Sequence, residues 1–130
     1  MEIEFKDHSA EIRAAFEQAK ARALEKIGLA AEGYAKRLCP VDTGGLRYSI
    51  SYAVSGDAAY IGSNKNYAAY VEMGTGKYYP GGRQTPWAYE DANGNWHRTS
   101  GSPPRPFLKP AAADHPHTYR GIIEDEFKKG

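Results

Sequence analysis

The chain has 130 residues, enough for one domain. Its 17 Lys and Arg against 16 Asp and Glu leave a net charge of +1, which excludes binding driven by bulk charge alone. Leu, Ile, Val and Phe number only 19, about 15% of the chain, beside 19 Ala and 10 Tyr, so the expected core is thin and leans on partner chains for stability.

The first third predicts one long helix over 9–38. Ile12, Phe16, Ala19, Ala23, Ile27, Ala30 or Ala31, Tyr34 and Leu38 recur at spacings of three and four, with charges such as Arg13, Glu17, Lys20, Glu25 and Glu32 between them. Ser9 is the expected N-cap and Pro40 the stop. Such a helix is about 45 Å long, more than the width of a compact domain of this size, so either Gly28 or Gly33 breaks it or one end projects. The continuous helix is the reading adopted. Its apolar stripe needs a surface to lie on.

A sheet is expected next. Leu46, Tyr48, Ile50, Tyr52 and Val54 alternate with polar or small residues, Ser55-Gly56-Asp57 signals a turn, and Ala58–Ser63 returns, giving a hairpin over 46–63. Residues 67–73 predict a short helix stopped by Gly74. Residues 76–106 hold ten Gly or Pro, two Trp and three Tyr; Trp87–Asp91 and Asn95–Thr99 flank Ala92-Asn93-Gly94, so an exposed arm with a hairpin is expected. A terminal helix over 108–128 starts near Pro110 and kinks or restarts at Pro116. The fold class is α+β: both end helices packed on a small antiparallel sheet, in a single domain over 1–130.

The chemistry is sparse. Gly74-Thr75-Gly76-Lys77 lacks the spacing of a phosphate loop, with Val71 and Tyr78 where the motif needs Gly and Ser or Thr. His97, His115, His117 and Cys39 show no metal-ligand spacing, and no nucleophile elbow is present. Glu90-Asp91 and Glu124–Glu126 read as solvated runs rather than an opposed carboxylate pair. No catalytic, cofactor or metal residue is therefore assigned. A single cysteine fits a reducing compartment, and no apolar run reaches the roughly 20 residues a membrane span needs; neither a span nor a signal peptide is expected. Residues 41–110 carry seven basic and five acidic side chains, and Arg83, Arg98 and Arg105 lie near Trp87 and Trp96. Arg with Trp and Tyr suits a protein interface, while a single-strand stacking surface is the alternative.

Three clusters remain. Cys39-Pro40-Val41-Asp42-Thr43-Gly44-Gly45-Leu46-Arg47 reads as a tight crossover, with Asp42 in an Asx-turn to the Gly44 amide. Tyr67-Ala68-Ala69-Tyr70-Val71-Glu72-Met73-Gly74-Thr75 puts two tyrosines on one helical face. Arg105-Pro106-Phe107-Leu108-Lys109-Pro110-Ala111 leads into the last helix with Phe107 and Leu108 as anchors. Each alone is ordinary turn, core or cap chemistry. Their order over residues 9–128 resembles the HK-ninety-seven gene-product-ten-like family of tailed-phage head–tail joining (neck or tail-completion) proteins.

That resemblance implies a structural, cofactor-free virion subunit. It implies a ring of six or twelve copies at the portal-proximal end of the tail, assembled in the bacterial host cytoplasm. The ring would contact adjacent neck, portal-side or tail-tube proteins and let DNA pass without sequence recognition; no membrane is involved. Asp42, Thr43, Gly44, Leu46, Tyr67, Tyr70, Glu72, Gly74, Thr75, Phe107 and Pro110 are the expected scaffold residues. Arg83, Trp87, Trp96, Arg98 and Arg105 are the expected contacts. The chain departs from the family pattern in Met73, in the extra Gly45 and in the Trp-rich insert. Two other functions stand beside this one: a single-stranded nucleic-acid-binding module using the Arg/Trp arm, and a small metal-dependent hydrolase using His97, His115 and His117.

Overall fold

The computed structural model describes residues 7–40 and 44–129. In chain order the elements are α1 (Ser9–Leu38), α2 (Gly44–Ser49), β1 (Ile50–Ser55), β2 (Ala58–Ser63), α3 (Ala68–Met73), a 3₁₀ turn (Gly76–Tyr78), β3 (Trp87–Glu90), β4 (Trp96–Thr99), α4 (Leu108–Ala113) and α5 (Pro116–Lys128). The strands form two separate antiparallel pairs, β1 with β2 and β3 with β4. The architecture is α+β.

Helix α1 is unbroken because Gly28 works as a contact rather than a break. A Cβ there would stand 2.4 Å from the Tyr52 ring, so the bare backbone is what admits β1 onto the helix. The buried face of α1 is Ala19, Ala23, Gly28, Ala31 and Ala35. Small side chains let β1, β2, α4 and α5 approach the helix closely. Six of the ten buried apolar residues are alanine, and Phe107, Leu46 and Ile50 are the only large apolar ones among the described residues.

Several expectations need correction. Ser9 is the first residue of α1 and not its cap; the Asp7 carboxylate accepts the Ser9 N–H at 2.9 Å. Leu46–Ser49 are helical, so the hairpin spans Ile50–Ser63. The apparent alternation fails there because Leu46 is fully buried while Tyr48 is 86% exposed, and in a strand the two would share a face. In the helix the Ser49 hydroxyl donates back to the Leu46 carbonyl at 2.6 Å. The terminal helix is two helices: Pro116 opens α5 at a position where no amide donor is needed, after the break at Asp114-His115. Helix α5 lies chiefly along α1 and not across the sheet.

One ion cluster fixes α5 on α1. Glu126 is 1% exposed, and its carboxylate accepts from Lys26, from Arg22 Nε at 3.0 Å and from Lys129 Nζ at 3.4 Å. The Lys26 and Arg22 bonds hold its pKa down to about 2, against the effect of burial. Around the same seam the Phe16 and Phe127 rings pack at 5.1 Å, and His115 stacks flat on Tyr34 at 3.5 Å.

Candidate assembly interface

The motif residues divide into those that build a clasp and those placed elsewhere in the fold, with Leu46 in the core and Tyr67 packed against it. The clasp joins α3 to the segment entering α4. The Glu72 carboxylate accepts three successive backbone amides, Phe107 N–H at 2.7 Å, Leu108 N–H at 2.9 Å and Lys109 N–H at 2.8 Å. These are orphan donors at the start of α4, so a side chain from a distant helix supplies the cap. Arg105 N–H donates to the Val71 carbonyl at 2.8 Å, and Thr75 and Ser102 exchange two bonds. Phe107 then enters the core beside Leu46, Ile50, Ala35 and Ala111.

Two glycines make the clasp possible. Gly74 has φ +84° and a Cβ on it would meet the Ser102 carbonyl at 2.7 Å; on Gly101, with φ +119°, it would meet the Thr75 carbonyl at 2.1 Å. Beside the clasp, Pro40, Tyr67, Tyr70, Thr75, Pro103 and Arg105 line a cleft of about 300 Å³ in which residues of all three clusters meet. Tyr70 is half exposed and packs on Tyr79 with ring centroids 5.0 Å apart. Pro110 sits third in α4. Gly44 opens α2, while Asp42, its expected Asx-turn and Thr43 lie outside the described residues.

The expected contact residues are on or near the arm but do not form one surface. The register pairs Trp87 with Thr99, Ala88 with Arg98, Tyr89 with His97 and Glu90 with Trp96. Alternation therefore sends Trp87, Tyr89 and His97 to one face and Trp96, Arg98 and Glu90 to the other. Arg83 lies over the Trp87 ring at 5.9 Å, and Trp87 anchors the arm's base against Gly76. Trp96 is 69% exposed. Arg105 belongs to the clasp side rather than the hairpin. A single stacking platform carrying both tryptophans is not what the hairpin builds, which corrects that part of the nucleic-acid reading.

The histidines are dispersed as well. His97 bonds Asp91 at 2.7 Å and draws its carboxyl pKa downward, His115 stacks on Tyr34, and among the described residues no three His, Cys, Asp or Glu are grouped to hold a metal ion. Cys39 is buried in the core, which pushes its thiol pKa up and away from the reactive thiolate. No helix among the described residues is long and apolar enough to cross a membrane.

Residues that the sequence pattern placed inside lie outside. Ile12 and Phe16 continue the stripe of Ala19 and Ala23, yet they are 68% and 52% exposed, and no residue from Ser9 to Gln18 is buried. Leu29 and Leu38 are also exposed, as are Tyr48 and Tyr60. Alanines thus make up most of the buried apolar set, while several larger apolar side chains face outward. Residues 4–74 match the model of the HK97-gp10-like family, described as "Bacteriophage HK97-gp10, putative tail-component", and the chain belongs to that family. The match takes in α1, the first cluster and all of the second but Thr75, and it ends at Gly74, before the arm and the Phe107 segment that Glu72 holds. No curated protein and no solved structure matches the chain.

Proposed function

We propose that this protein is a structural virion subunit that closes a ring at the head–tail junction of a tailed phage, as a neck, tail-completion or tail-terminator component. The observation that carries the reading is the inverted placement of its apolar side chains. A thin alanine core is finished within the chain, whereas Ile12, Leu29 and Trp96 are left for neighbours. Head-to-tail contacts close into a ring when the rotation between copies fits, and a ring leaves an axial passage for DNA. No step of this role asks for catalysis or a cofactor.

The test is location. A tag fused after α5 and labelled with gold on purified particles is expected to mark the head–tail junction by electron microscopy. Label along the tail tube or at its far tip contradicts the reading. Titration with a single-stranded oligonucleotide at two salt concentrations separates the nucleic-acid alternative, which demands a steep salt slope where the ring subunit shows little.

A further inference from the structure

We infer that the β3–β4 arm of one copy docks against the outer edge of β1 and the adjoining flank of α1 on the next copy; this rests on the ring reading above. The β1–β2 pair is a two-stranded ribbon, and such a ribbon is marginal without further cover. Among the described residues no backbone–backbone hydrogen bond leaves either strand except to the other. On the β2 side, Ala59 and Ile61 share a crevice with Ala112 and Tyr119, so α4 and α5 flank that strand. Among the described residues, β1 packs chiefly on β2 and on α1. Its edge also lacks the features that blunt exposed strands: β1 and β2 contain no proline and no charged residue, and their register runs one-to-one without a bulge.

What lies beneath that edge is a patterned stripe. Tyr52 of β1 donates its hydroxyl to Glu25 at 2.8 Å, which places the Glu25 flank of α1 under β1. Glu25, Leu29, Glu32 and Lys36 follow at steps of four, three and four, one face of the helix. Leu29 is 57% exposed between the two carboxylates, and Glu32 meets Lys36 at 3.6 Å.

The arm carries the complement. Among the described residues, β3 and β4 pack extensively on no element but each other. One face presents Arg98, Trp96 and Glu90. Laid beside β1, that face sets Arg98 against Glu25 and Glu32, Trp96 against Leu29, and Glu90 toward Lys36, while a strand of the arm takes up the open hydrogen-bonding edge. Donor and acceptor surfaces differ, so the contact is head-to-tail, the kind a ring requires.

Charge reversal tests it. Arg98→Glu, the pair Glu25→Lys with Glu32→Lys, and the triple variant are compared with the wild type by native mass spectrometry, with circular dichroism confirming the fold. The wild type is expected at multiples of 14.3 kDa, each one-sided variant at the single-chain mass, and the triple variant back at multiples. Mixing the two one-sided variants should also restore assembly. One-sided variants that assemble like the wild type, or a triple variant that stays single, overturn this contact and leave the ring reading standing. A wild type that is single at every concentration overturns both. Independently of charge, Leu29→Cys with Trp96→Cys should give covalent multimers on non-reducing electrophoresis, and a lone single-chain band contradicts the docking.

Discussion

The clasp and the outer flank of α1 are built on opposite plans. In the clasp, a carboxylate satisfies three amides, two glycines let backbones touch, and Phe107 is sealed in the core. Along the first ten residues of α1 nothing is buried; Ile12 faces outward on the very stripe that Ala19 and Ala23 bury further on, and Phe16 is half exposed beside Phe127. The first region is complete in a single chain. The second is a helix whose length exceeds its support, and an isolated stretch of that length is marginal without tertiary contact. On the proposed ring reading, stability and assembly are carried by different residues, and mutations should separate them.

The largest effect should come from the finished region. Phe107→Ala empties the centre of a core with few large side chains, and about 3–5 kcal/mol of stability should be lost in urea unfolding. Glu72→Ala leaves three amides at the start of α4 without their acceptor; about 2–3 kcal/mol is expected, with hydrogen exchange rising first at 107–109. Gly101→Ala forces a side chain into left-handed backbone against the Thr75 carbonyl, for a loss of about 1–3 kcal/mol. If any of these left stability intact while blocking assembly, the division between the regions would be wrong.

Glu126 sharpens the comparison through pH. Its folded pKa of about 2 lies below the ordinary 4.5, so its contribution is fully present above about 4.5 and drains away as pH falls toward 2. Acid unfolding curves should steepen across that window. Glu126→Gln should flatten them there while lowering stability at neutral pH, since Lys26 and Arg22 lose their buried partner. The smallest effect on the single chain belongs to the unfinished region: Ile12→Ser should change its stability by no more than about 0.5 kcal/mol, yet reduce assembly on sedimentation.

The α+β class and the family were legible in the sequence because both rest on spacing and order along the chain. The partition of apolar residues was not. Period alone puts Ile12 and Ala19 on one face, and only the place where α5 ends decides which of them is covered. Leu46 and Tyr48 fit a strand by alternation, but a two-residue coincidence cannot reveal a helix whose Leu46 is drawn into a core assembled from distant segments. Glu72 was readable as a motif member. Its role as a cap on a helix 35 residues away needed the third dimension. The arm's two tryptophans looked like one cluster until the register of β3 and β4 set them on opposite faces.

The most direct measurement of the central claim is hydrogen exchange by mass spectrometry at concentrations below and above assembly. Residues 9–18, the 25–36 flank of α1 and the arm at 87–99 should gain protection on assembly, while the clasp at 100–111 stays unchanged. Equal exchange of α1 and the arm at both concentrations, or protection confined to the clasp, would contradict the account.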